Sequence, residues 1–305
     1  MTTYLLFLFL RPLATHLPRP LLALLAMTAG VVAYTVASGP RAAVLRNLAV
    51  VLPDAPTARR RHLAMRAFVH GALGYIELLG LQRLAPGEVH RRYPLHGVEH
   101  LDAATAQARG VVLVGAHVGP ISVAGQLLAD RGVPTTVVVE MLQPAPLHRL
   151  VSELRSHFGL RLVPQGPTVV RQILLALRRG GVVCIAADRD VAGTGDELPF
   201  FGQVTRVTTA PATLARRTGA VLLSCTTYRT GLWRGWARMS EPIQVPRSGN
   251  VDDDVRVATL EMLRQFETAI LAAPDQWIAF SDLWTGETSG PKMNPRLAEK
   301  RTTIA

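Results

Sequence analysis

Cysteine is nearly absent. Cys184 and Cys225 are the only two in 305 residues, so no disulfide framework exists, and a reducing, cytosolic setting fits. Both lie in apolar, β-like runs, where buried free thiols are common. Acidic residues are scarce relative to basic ones, 22 against 33, which leaves a net charge of +11. A basic chain that is also 49% hydrophobic, with mean hydropathy +0.22, is drawn to anionic surfaces. Nucleic acid is the poorer fit, because the sequence lacks an aromatic-basic RNP pattern, a zinc-finger spacing and a helix-turn-helix signature. Anionic membrane lipids are therefore the expected partner, and no nucleic acid is. Internal repeats and low-complexity linkers are also missing. His96 and His100 have the i, i+4 spacing of a metal pair, but no further ligand set accompanies them, and no metal is expected.

What is present begins with a strongly apolar N-terminus. Tyr4 to Leu10 is followed by Arg11 and Pro12, and Leu21 to Ala37 then runs 17 residues without a charge between Arg19 and Arg41. That length is at the bottom of the range for crossing a bilayer. A secretory signal is disfavoured by the missing positive n-region and the missing small-x-small cleavage site. The segment reads as a membrane-binding helix. Spanning and interfacial modes are both open, and a buried core helix is the remaining alternative. Residues 38 to 92 continue as amphipathic helix with interleaved arginines, so that 1–92 forms an N-terminal membrane-associated helical region.

From about residue 95 strands and helices alternate. Strands are expected at 111–115, 135–139, 160–163, 181–187, 220–228 and 236–243, with helices at 99–108, 120–131, 146–158, 167–179, 208–218 and 252–273. This predicts an α/β fold over 93–285, a mostly parallel central sheet flanked by helices. The tail, 286–305, is polar with Gly, Pro and Lys and is expected to be disordered.

Three places in this frame are suited to chemistry. In G-A-H-V-G-P-I-S, residues 115 to 122, an apolar strand ends and presents His117 before a helix begins. Ligands of open α/β sheets bind at such strand ends, and a histidine there can take a proton from a hydroxyl near neutral pH. Gly115 and Gly119 would let a ligand approach the backbone, and N–H groups at the helix start could hold an oxyanion. In A-A-D-R-D-V-A-G-T-G-D-E-L-P-F-F-G, residues 186 to 202, a second apolar strand ends in Asp188-Arg189-Asp190. Charges so near a core need partners, and an internal ion pair between Arg189 and one aspartate is expected to pin the loop. Thirdly, V-V-V-E ends a strand at Glu140, and Arg155 follows on the next helix, where the two could pair across a cleft.

In this order, these constellations resemble the bacterial lipid A late acyltransferase family, and more nearly its branch of phosphatidylinositol mannoside acyltransferases. The family hallmark is G-x-H-x-G-N-W-[DE]. Further matches are V-V-V-E ending at Glu140, A-D-R-D with a later G-x-E-x-x-F-F-G, A-P-A-T-L-A-R-R-T-G-A at 210–220, P-D-Q-W-I-A-F-S-D-L-W at 274–284 and R-x-x-V-x-R-N-L at 41–48. The resemblance spans about residues 20 to 285 and implies a glycerolphosphate acyltransferase-like fold. It also implies transfer of an acyl chain from acyl-CoA or acyl carrier protein to a hydroxyl of a glycolipid or lysophospholipid. Acyl-CoA is then a co-substrate, and no bound cofactor is required.

The resemblance makes His117 the general base, with Glu197 working beside it. Gly119, Glu140, Arg155, Asp188, Arg189, Asp190, Phe201, Gly202 and Arg206 are the substrate-binding positions it implies. One departure stands out: Ser122 occupies the position of the hallmark acid, and Pro120-Ile121 replace Asn-Trp. A serine can hold a histidine tautomer but supplies no charge. Either Glu197 or another nearby acid takes over, or the chain is a weakened member that binds lipid or a partner. A thioesterase-like hydrolase using the same histidine is a further alternative. The expected location is the cytoplasmic face of the cell membrane.

Overall fold

The computed structural model describes residues 2–284 except 108 and 192; the tail expected at 286–305 lies outside them. Four long helices open the chain: α1 (Thr2–His16), α2 (Arg19–Val36), α3 (Ser38–Val51) and α4 (Thr57–Leu79). After the short α5 (Glu88–Arg92) the chain alternates: β1 (Leu95–His96), α6 (Val98–Ala106), β2 (Val111–Gly115), α7 (Ile121–Asp130), β3 (Thr135–Val139), α8 (Ala145–Arg155), β4 (Arg161–Pro164), α9 (Val169–Arg178) and β5 (Val182–Ala186). A hairpin of β6 (Asp196–Phe200) and β7 (Gln203–Val207) interrupts the alternation. It is followed by α10 (Ala210–Thr218), β8 (Val221–Gly231), β9 (Arg234–Met239) and α11 (Val251–Ala272).

Seven strands form one sheet in the order β1-β9-β8-β2-β5-β3-β4; all neighbours are parallel except β8 and β9. This is the mostly parallel α/β architecture expected from the alternation. β2 lies at its centre, and its four valine and leucine residues are buried. The period of two divides them between layers. Val112 and Val114 pack with α9, α10 and α11, whereas Val111 and Leu113 pack on the side of α6 and α7. The hairpin β6–β7 and the two-residue β1 are elements that the sequence pattern does not announce. Polar and charged residues on the outward face of the hairpin hide its alternation.

The N-terminal helices have a divided character. α2 packs on α4 through Leu22, Ala26 and Gly30, spaced at i, i+4 and i+8 on one face. A methyl group at Gly30 would come within 2.5 Å of the Val69 Cα, so the two backbones touch. The opposite side leaves Leu21, Leu24, Met27, Val31, Val32 and Val36 exposed, and α1 likewise exposes Leu5, Leu6, Leu8 and Phe9. α2 is the one described helix long and apolar enough to cross a membrane, and only 17% of it is buried. A soluble core helix would bury most of that apolar surface, so the core-helix alternative does not describe α2.

Candidate active site

Parallel pairing brings the ends of β2 and β5 side by side: Gly115 is in register with Ala186, and the Ala187 N–H donates to the Gly115 carbonyl. Residues one or two positions beyond each strand must then emerge together at the C-terminal edge of the sheet. Those residues are His117 and Asp188. The His117 Nδ1 lies 2.6 Å from Asp188 Oδ1, and the His117 backbone N–H donates to Asp188 Oδ2 at 3.0 Å. The indole Nε1 of Trp277 donates to the same Oδ2 at 3.0 Å. An ionised carboxylate only accepts, so Nδ1 carries a proton, and in the neutral ring the lone pair is that of Nε2. The Asp188 side chain is fully buried, whereas 23% of the His117 side chain remains exposed.

Burial by itself would push the Asp188 carboxyl up. It is outweighed by the charge and hydrogen bond of His117, the nearby Arg189 guanidinium and the His117 N–H, which hold the group well below the usual carboxylate range. Arg189 and Asp188 form no ion pair among the described residues, and the Arg189 Nε is buried without a hydrogen-bond partner there. Asp190 accepts from the N–H groups of Gly193 and Gly195 and closes the following loop. The expected Arg189–aspartate pair is thus replaced by a different arrangement. One aspartate faces the histidine, and the other caps a turn.

The glycines have a different task from the one expected. Gly119 has φ +64°, and a Cβ there would fall 2.1 Å from the Thr227 carbonyl oxygen on β8. Its N–H donates to the Gln276 carbonyl at 2.9 Å, so it is already occupied and is no oxyanion donor. The close approach at Gly115 is also to β8, to the Cys225 carbonyl. In the first turn of α7, Ile121 and Val123 donate to Gly119 and Pro120; the Ser122 N–H has no partner among the described residues.

Glu197 does not stand at His117. It lies on the outer face of the hairpin, 71% of its side chain exposed, 3.9 Å from Arg206 opposite it on β7. The pleat explains this: Leu198 and Phe200 point inward, which turns Glu197 and Pro199 outward. Ser122, half-buried in the first turn of α7, is also not the partner of Nδ1. Glu140 is exposed at the end of β3. Arg155 is half-buried at the end of α8, its carbonyl accepting from Gln126, and no ion pair joins it to Glu140 among the described residues. Phe201 and Gly202 form the hairpin turn, both with positive φ, and Glu267 accepts from the Phe201 N–H. The Phe201 ring lies against Phe200, Trp277 and Trp284.

Two residues at the centre escaped the sequence reading. Trp277 and Gln276 lie within the matched P-D-Q-W segment, but nothing in the local pattern shows that it folds back onto a histidine 160 residues earlier.

The sequence pattern of the bacterial lipid A biosynthesis acyltransferases matches residues 1–285. The chain belongs to this family. A phosphatidylinositol mannoside acyltransferase of Mycobacterium tuberculosis is 35% identical over 196 residues, covering 63% of this chain and 60% of the relative. One from Mycolicibacterium smegmatis is 28% identical over 259 residues, 84% of this chain and 83% of that protein. A lipid A biosynthesis palmitoleoyltransferase of Escherichia coli is 24% identical over 273 residues, 86% and 84% of the two chains. In this chain the carboxylate that meets His117 is that of Asp188, from the end of β5, and position 122 on α7 carries a serine.

Proposed function

We propose that this chain is a membrane-associated O-acyltransferase with His117 as general base and Asp188 as its carboxylate partner. The observation that carries the reading is the 2.6 Å contact of His117 Nδ1 with a buried, ionised Asp188, which leaves Nε2 free to accept a proton. Nε2 removes the proton of an acceptor hydroxyl as its oxygen attacks the carbonyl carbon of an acyl thioester. The tetrahedral intermediate collapses with cleavage of the C–S bond, and the imidazolium returns the proton to the departing thiolate. Asp188 offsets the imidazolium charge while it lasts. The Ser122 N–H, without a partner among the described residues, is the donor proposed for the oxyanion. The acyl donor is acyl-CoA or acyl carrier protein. The acceptor is a glycolipid or lysophospholipid, and the mycobacterial relatives favour a phosphatidylinositol mannoside.

The same reading places the enzyme on the cytoplasmic face of a membrane, where a CoA thioester is available. α1 and α2 lie in the interface: one side of α2 is held on α4, and the other side meets acyl chains. The exposed Arg59 and Arg61 at the start of α4 face anionic headgroups. The test is to incubate purified protein with labelled palmitoyl-CoA and phosphatidylinositol dimannoside vesicles and to analyse the lipids by mass spectrometry. A product heavier by one palmitoyl group supports acyl transfer. Release of free palmitate with no acylated lipid, or no CoA release at all, overturns it.

A further inference from the structure

The turn that carries His117 is clamped from outside the sheet by residues 276–278. The Gly119 N–H donates to the Gln276 carbonyl at 2.9 Å, the Ile278 N–H donates to the His117 carbonyl at 2.8 Å, and the Trp277 indole between them holds Asp188. Both members of the dyad are therefore tied to one short segment. Asp275 beside it is held by Arg66 and His70 and the Ala279 carbonyl by Asn47, while within the segment the Gln276 side chain ties it to β8. β8 pairs with β2 only as far as Ser224 and then runs on past the end of β2, paired with β9 alone. The backbone N–H and C=O of Arg229 on that extension are buried and face no strand on this side, and such groups need partners. Gln276 supplies both. Its Oε1 accepts from the Arg229 N–H at 2.8 Å, and its Nε2 donates to the Arg229 carbonyl at 2.9 Å. Among the side chains, only the amides of Gln and Asn carry an uncharged acceptor and an NH2 donor on one planar group.

Arg229 cannot easily move away from this contact. Its guanidinium, 2% exposed, is paired at 2.5 Å with Glu77 of α4, 4% exposed, which also accepts from the Trp233 N–H and from the Tyr93 hydroxyl. The guanidinium also donates to the carbonyl and Nδ1 of His70, whose Nε2 faces Asp275, the residue next to Gln276. A continuous set of buried polar contacts thus runs from α4 through Arg229 and Gln276 to Trp277, Asp188 and His117.

We infer that Gln276 is a positioning residue for the reaction: by pairing with the backbone of Arg229 it sets the place of Trp277 and, through it, the orientation of Asp188 toward His117. The inference rests on the proposed role of His117. Displacement of a catalytic group by about 1 Å costs on the order of 100-fold in rate, so kcat and not KM carries the effect.

The experiment measures CoA release from palmitoyl-CoA in the presence of phosphatidylinositol dimannoside vesicles. The proteins are wild type, Gln276→Glu, Gln276→Ala, Trp277→Phe, Gln276→Ala/Trp277→Phe and His117→Ala, with rates expressed per folded molecule. Gln276→Glu keeps nearly the native shape and the acceptor but loses the donor. The expected result is a kcat lowered about 10- to 100-fold in both Gln276 variants, with KM for palmitoyl-CoA within about twofold. The double variant should be no worse than about twofold below the poorer single variant, because both changes act through one contact. A folded Gln276→Glu protein with wild-type kcat overturns the inference, as does full additivity with Trp277→Phe. Wild-type turnover in His117→Ala would instead remove the underlying assignment of the base, so the two failures are distinct.

Discussion

His117 and Asp188 are 71 residues apart in the chain and 2.6 Å apart in space, at the ends of adjacent parallel strands. A carboxylate from β5 stands where it can stabilise an imidazolium, although the helix after His117 offers only a serine. This contact turns the ranking of acids that the sequence suggested. Asp188→Asn should lower kcat by about 10³ to 10⁴, because the amide supplies no charge and favours the wrong tautomer. Glu197→Gln should stay within about threefold of wild type, since loss of an exposed ion pair has little consequence. CoA release by the two variants decides the matter: a larger loss in Glu197→Gln would return the role to the hairpin.

The low pKa of Asp188 makes stability depend on pH with a defined sign. The folded state holds the carboxylate more acidic than the unfolded chain does, so the stabilisation is fully present above the ordinary carboxylate pKa and is lost as pH falls toward the folded value. Urea unfolding from about pH 5 down to about pH 2 should show a steeper loss for wild type than for Asp188→Asn. Parallel curves would mean that Asp188 is not held in the ionised form by folding.

Gly119 should tolerate no side chain. Its φ of +64° strains any L-residue, and a methyl group would collide with the Thr227 carbonyl of β8. Gly119→Ala should cost more than about 2 kcal/mol in urea unfolding and also abolish turnover by moving the His117 turn. The comparison is Gly132→Ala: it has φ +74° and open space around the Cβ position, so only the backbone term applies there. Equal losses at the two positions would show that the contact with β8 does not matter.

Membrane attachment should follow the exposed side of the N-terminal helices. Replacing Leu5, Phe9, Leu24 and Val32 together by Ser removes apolar surface that is left exposed among the described residues. Flotation with anionic phospholipid vesicles should drop sharply, while thermal unfolding stays close to wild type. Undiminished flotation would move the attachment to another surface.

The strands and helices of residues 95–273 were legible because buried parallel strands read as short valine- and leucine-rich runs, as at 111–115 and 135–139, and their helices carry a separate period. The hairpin 196–207 was not: Asp196, Glu197, Gln203 and Arg206 on its exposed positions disguise two strands as a charged loop. Its register decided the fate of Glu197, since one residue of the pleat separates a side chain facing the core from one facing water.

The sequence by itself determined the fold class, the family, the histidine at a strand end and the apolar N-terminus, because each is written in local order or short-range period. Only the tertiary structure decided which acid meets that histidine and what holds it. The pairing of β2 with β5 places Asp188 beside His117, and the return of residues 276–278 supplies the Trp277 indole. Such contacts depend on strand order and on a segment folding back across the whole domain. Local periodicity carries no information about strand neighbours, so the partner of His117 is a property of the assembled sheet.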